Sequence, residues 1–140
     1  MLPFQIKLRS GLPVQSQVIH AVRRAVVTGH LRAGDPFPSV RGLSVALRIN
    51  PNTAHRIIAL LVSDGILEVR PGVGSVVTGV PPGSDRERTN LLEHQLERLV
   101  VEARRLGVER AEFDAALTRH WRQLSASTTR PRAAQRTEVP

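Results

Sequence analysis

Asn50-Pro51, placed directly ahead of Ala54, Ile57, Ile58, Leu60 and Leu61, fixes a helix start at one point in this chain. An asparagine can cap a helix through its side-chain oxygen, and proline suits the first helical position, where no amide donor is required. The apolar residues that follow recur at helical spacing and form one stripe. Asn52, Thr53 and Arg56 fall on the other face within the first turn and a half, with His55 among them. Short hydrogen-bonding side chains and a guanidinium at an exposed helix N-terminus are what base and phosphate readout requires. An ordinary amphipathic helix with a polar outer face would carry the same pattern, so the flanking segments decide between the two.

Those segments predict a helix-turn-helix. Ser39 is placed to cap a short helix running to about Leu47, with Leu43, Ala46 and Leu47 inward and Arg41 in its first turn. A three-residue turn at Arg48–Asn50 joins it to the central helix, about Pro51 to Val62. Further upstream, Val14, Val18, Ala21, Val22, Ala25 and Val26 mark a helix from about Pro13 to Thr28, which Gly29 stops. Residues 1–12 read as an extended lead-in. Residues 30–38 read as a turn-rich connector whose Leu31 and Phe37 plug the core. Downstream, Gly65 suits the left-handed position after the central helix. Residues 66–70 and 75–78 then read as two strands joined by Pro71-Gly72-Val73-Gly74. Three helices and a hairpin make the winged-helix plan, so the fold class is mainly α with a small β-hairpin.

Charge supports this division. The chain carries a net +8, and through Thr78 nine basic residues stand against three acidic ones, which puts +6 in that segment and leaves +2 for the remainder. A basic front points to a polyanionic partner, and a mixed-charge back points to association. The absence of cysteine excludes disulfides, thiolate metal sites and cysteine nucleophiles. No segment resembles a signal peptide or reaches membrane-spanning length, so a soluble, cytoplasmic protein without a membrane partner is expected. The five histidines sit on separate elements with no ligand spacing to a carboxylate, and no nucleophile–base pair or phosphate-cradling loop occurs. Neither a metal, a cofactor nor catalysis is expected.

The organisation that follows is a DNA-binding winged helix over residues 1–78, a linker over 79–84, a helical dimerisation element over 85–124 and a disordered tail over 125–140. In the dimerisation element, a helix from about Asp85 to Leu106 carries Leu92, Leu96, Leu99, Ala103 and Leu106 at four-three spacing, a heptad seam. A second helix from about Val108 to Leu124 carries Phe113, Leu117, Trp121 and Leu124 on one face. Two helices cannot enclose a core, so these faces are expected to meet each other and a second copy. Residues 125–140 are poor in large apolar side chains, the composition of a disordered segment.

Gly34-Asp35-Pro36-Phe37-Pro38-Ser39-Val40-Arg41, Asn50-Pro51-Asn52-Thr53 and Asp64-Gly65-Ile66-Leu67, at these spacings, resemble the GntR family of bacterial transcription regulators. The short helical C-terminal part is similar to that of the YtrA-type branch. The resemblance implies DNA contacts from Arg41, from Asn50, Asn52, Thr53, His55 and Arg56 on the recognition helix, and from Gly72 and Gly74 at the wing tip. Pro71 and Val73 depart from the family pattern, in which basic residues often flank the first wing glycine. It further implies a homodimeric repressor binding an inverted-repeat operator in double-stranded DNA. No sequence feature identifies a small-molecule effector. A non-specific nucleic-acid-binding protein or a winged-helix protein-interaction adaptor would share the basic front segment.

Overall fold

The computed structural model describes residues 2–79 and 83–128. Residues 80–82 of the expected linker, and the expected tail from residue 129, therefore lie outside the described residues. The chain divides into two units, with residues 82–123 forming the second.

The first unit is built from α1 (Val14–Val27), α2 (Val40–Leu47), α3 (Pro51–Ser63), β1 (Leu67–Arg70) and β2 (Gly74–Val77). The caps form where the sequence places them. The Ser39 hydroxyl accepts from the Gly42 amide at 3.0 Å, and the Asn50 side-chain oxygen accepts from the Asn52 amide at 2.7 Å. Each satisfies an amide that the helix leaves without an internal partner. Gly65 follows α3 with φ +81°, the left-handed backbone that a Cβ would strain. β1 and β2 pair antiparallel with Leu67 opposite Val77 and Arg70 opposite Gly74.

One core holds these elements together. Val18, Val22, Leu31, Leu43, Ile57, Leu61, Leu67 and Val77 are buried from α1, the connector, α2, α3 and the hairpin. At about 25 cal/mol per Å² of apolar surface removed from water, such burial is the main favourable contribution to folding. The lead-in joins the same core. Phe4 is buried and stacks on Phe37, with centroids 5.8 Å apart and planes 4° from parallel. Thr28 is buried, and its hydroxyl donates to the Arg24 carbonyl at 2.8 Å, so burial leaves no orphan polar atom there.

Several expectations change. Ala46 is exposed and Leu60 only half-buried; in α2, Leu43 is the one fully buried residue, with half-buried Val40 and Leu47 packed against the core beside it. The connector does more than turn: Pro36 bridges Val76, and the amides of Gly34 and Phe37 donate to the carbonyls of Val77 and Ser75 at 2.7 and 2.9 Å. It thus lies along the free edge of β2 and satisfies backbone groups that a two-stranded hairpin leaves open. The strands start one residue later than expected at β1 and one earlier at β2. Arg48 has φ +57° and ψ +51°, the one non-glycine positive φ among the described residues. Left-handed backbone costs a residue with a Cβ about 1–2 kcal/mol.

The second unit contains α4 (Asp85–Thr89), a π-helical turn (Asn90–Gln95), α5 (Leu96–Arg105) and, up to Gln123, α6 (Arg110–Thr128). Ser84 and Glu87 form a reciprocal capping box at its start. The expected continuous helix is interrupted: the Leu96 amide donates to the Leu91 carbonyl, five residues back. Leu91 therefore stands one turn beneath Leu96, where an α-helix would put Leu92. The expected single seam also divides. Leu96, Val100 and Ala103 line an open groove of about 710 Å³ with Phe113 and Leu117 of α6. Leu92, Leu99 and Leu106 are absent from that lining and are 59%, 55% and 61% exposed. Trp121 is 69% exposed. Among the described residues of this unit, none is buried.

α6 starts at Arg110 rather than near Val108, and it continues to Thr128, into the stretch expected to be disordered from residue 125. Arg105 donates to Glu102 at 2.5 Å on the solvent side of α5. That guanidinium holds the Glu102 carboxyl below its usual range, while the carboxylate raises Arg105. Both groups are fully exposed, so the pair is a surface contact of small consequence for stability.

Candidate nucleic-acid interface

α3 presents two faces of opposite character. Ala54, Ile57, Ile58 and Leu61 are buried in the core, which orients the helix and fixes its rotation about its own axis. Asn52, His55 and Arg56 are exposed as a result, and Thr53 is half-buried. Asn52 and Arg56 are four residues apart and share one face; Thr53 and Arg56, three apart, lie beside them. The side-chain oxygen of Asn50 is committed to its cap, so this residue has its amide N–H groups left to offer. The set combines amide, hydroxyl, imidazole and guanidinium groups on the first turns of an exposed helix. A DNA major groove is about 12 Å wide and admits a helix presenting such groups to base edges.

Arg41 is the second residue of α2 and is exposed. The four ion pairs recorded among the described residues leave Arg41, Arg48 and Arg56 out. Arg23 is taken by Asp64 at 2.6 Å, a contact that ties α1 to the end of α3. Arg70, the cation nearest the wing tip, is taken by Glu68 at 2.6 Å. The wing tip has exposed Gly72 and Gly74 at φ +79° and +109°, with open space where a Cβ would stand at each. These glycines are required by the turn, whatever approaches it. Val73 between them is 69% exposed.

The structure thus brings Arg41, Asn50, Asn52, Thr53, His55 and Arg56 onto the two helices of the helix-turn-helix, and places Gly72 and Gly74 on the hairpin. Arg48 was not singled out from sequence. A signal existed: a tight turn between two helices commonly needs one left-handed residue, and Arg48-Ile49-Asn50 contains no glycine. The expected dimerisation residues all belong to the second unit: Leu96, Ala103, Phe113 and Leu117 line the groove, and Leu92, Leu99, Leu106 and Trp121 are exposed. No cluster of three or more metal-ligating side chains occurs among the described residues, and none of their helices is long and apolar enough to cross a membrane.

Three helices, a tight turn before α3 and a two-stranded wing define a winged helix-turn-helix protein. Residues 14–77 match the family described as bacterial regulatory proteins, gntR family. Over 112 residues the chain is 32% identical to the HTH-type transcriptional repressor YtrA of Bacillus subtilis (strain 168), spanning 75% of this chain and 82% of that protein. The chain belongs to the gntR family, whose members are regulators rather than enzymes. Among solved structures, a GntR family transcriptional regulator from Listeria monocytogenes aligns with a TM-score of 0.56 at 28% identity, over 80% of this chain and 98% of that one. A transcriptional antiterminator from Listeria monocytogenes EGD-e aligns with a TM-score of 0.75 over 86% of this chain and 91% of that one. At 21% identity, that second likeness concerns the fold alone.

Proposed function

We propose that the chain is a homodimeric, sequence-specific DNA-binding transcription regulator that represses from an inverted-repeat operator. The observation that carries this reading is α3: one face is fixed in the core, and the other offers Asn52, Thr53, His55 and Arg56 to solvent on its first turns. α3 enters a major groove, Arg41 holds a phosphate from α2, and Asn50 adds a contact beside its cap. Gly72 and Gly74 let the wing tip border the adjacent minor groove. The exposed leucines of the second unit supply the surface for a second copy, whose two-fold symmetry an inverted repeat matches. The similarity to a transcriptional repressor supports repression over activation. Such a regulator acts in the cytoplasm, on double-stranded DNA.

The test begins by selecting bound sequences from a random duplex pool, then measures Asn52→Ala and Arg56→Ala separately on the selected site. Each is expected to lose about 1–3 kcal/mol of binding and to relax sequence preference at its own position. Unchanged affinity for both variants refutes the recognition role of α3. Equal wild-type affinity for selected and random DNA at raised salt favours a non-specific binder, and no DNA binding at all favours an adaptor.

The wing gives an independent expectation. With Arg70 engaged by Glu68 and valine at the tip, the hairpin offers little free positive charge to a groove. Val73→Arg is expected to tighten binding at low salt, with most of the gain lost as salt rises. A variant that binds no tighter at low salt places the tip away from the DNA backbone.

A further inference from the structure

We propose that Arg48 is a phosphate anchor, gripping the DNA backbone from the C-terminal end of α2 as Arg41 does from the N-terminal end; this rests on the DNA-binding reading above. The starting observation is an outlier. Every other positive φ among the described residues belongs to a glycine, eight in all, and only Arg48 carries a side chain there. The local bonds that hold this turn do not explain the choice. The Ser44 hydroxyl donates to the Ile49 carbonyl at 2.6 Å, the Ile49 amide donates to the Ser44 carbonyl at 3.1 Å, and the Arg48 amide reaches the Val45 carbonyl at 3.4 Å. None of these involves the Arg48 side chain, so glycine would close the same turn with less strain.

The guanidinium has no compensating contact within the protein. Arg48 is exposed and makes no ion pair or side-chain hydrogen bond among the described residues. A strained residue that gains nothing internally fits a position kept for an external ligand. Its placement says which ligand. Arg41 and Arg48 stand seven residues apart, about two helical turns, at the start and the end of α2. The first helix of a helix-turn-helix crosses the DNA backbone, and Arg48 also stands two residues ahead of the α3 cap. A fixed backbone at this turn presents a cation to phosphate rather than to a base edge, and arginine suits phosphate through its planar fork of donors.

The experiment uses the full chain and a mixed-sequence duplex of about three helical turns, titrated across salt. Arg48→Gly is expected to melt at the same temperature or several degrees higher, since strain is relieved. It is expected to bind roughly tenfold more weakly near about 0.1 M salt, with the slope of log affinity against log salt shallower by about 0.9 per protomer. Arg48→Lys, which keeps the charge, is expected to retain the slope. Arg41→Ala serves as the comparison. If Arg41→Ala flattens the slope and Arg48→Gly does not, the Arg48 assignment is overturned while the DNA-binding reading stands. A lower melting temperature for Arg48→Gly, or a slope lost equally in Arg48→Lys, also overturns it. If the wild-type chain binds neither this duplex nor a selected site, both readings fall.

Discussion

Leu99→Asp is expected to turn the proposed dimer into monomers and to lower affinity for a full inverted repeat by orders of magnitude, while half-site binding survives weakly. Leu99 is 55% exposed and does not line the groove between α5 and α6, so its replacement leaves the contacts inside the second unit in place. Leu92 and Leu106, seven residues to either side, are exposed in the same way. Burying each such side chain against a second copy contributes about 1.5–3 kcal/mol, and a carboxylate at the middle of that surface must be desolvated instead. Residues 14–77 should remain folded, because their core contains no residue of the second unit. Sedimentation with operator titration checks both halves of the expectation. An intact Leu99→Asp dimer with undiminished operator binding removes this leucine face from the mechanism.

The second large effect is on stability. Leu43→Ala is expected to cost about 2–5 kcal/mol, the range for a buried leucine whose removal leaves a cavity. The site makes the upper part of that range the expected one. Leu43 is fully buried and is the one fully buried residue of α2, and its helix neighbours Val40 and Leu47 are already packed against the core. A unit of this size has a total stability of order 5–10 kcal/mol, so about half would be lost. Thermal unfolding should show the midpoint falling by roughly 10–30 °C. DNA binding should weaken with it, since α2 carries Arg41. A loss below about 1 kcal/mol would mean that α2 is held by something other than its leucine.

Much of the first unit was readable because its signals are local. Ser39, Asn50 and Gly65 each mark a helix end by the chemistry of one residue, and all three act where the sequence places them. The alternation of residues 66–70 and 75–78 around a Gly-x-Gly tip likewise gave the wing to within one residue at each strand start. What was missed depends on partners distant in sequence or on ambiguous side chains. The pairing of Pro36 with Val76 is set by tertiary packing, which no local pattern reports. Ala46 is small enough to fit either face of α2, and a short helix gives its periodicity few repeats to decide. The π-helical turn was hidden because Leu91, Leu92 and Leu96 satisfy a three-four pattern and a five-residue step equally well. The candidate DNA-contacting residues follow from α3 being amphipathic, so their exposure was legible. The left-handed backbone of Arg48 was not, because its side chain argues against that conformation.

The π-helical turn makes the length of the segment ahead of α5 matter more than its composition. Removing one residue from positions 92–95 would leave Leu91 four residues before Leu96, so the same amide-to-carbonyl bond would close an ordinary α-helical turn and the segment before it would keep its phase relative to α5. Leu91 would keep its place beneath Leu96. A related chain one residue shorter here can present the same apolar surface through an unbroken α-helix, its leucines aligned with these across a one-residue gap. Gaps at this point in a comparison of relatives would therefore mark exchanges between two helix geometries, with equivalent leucines keeping the same neighbours on either side of the gap.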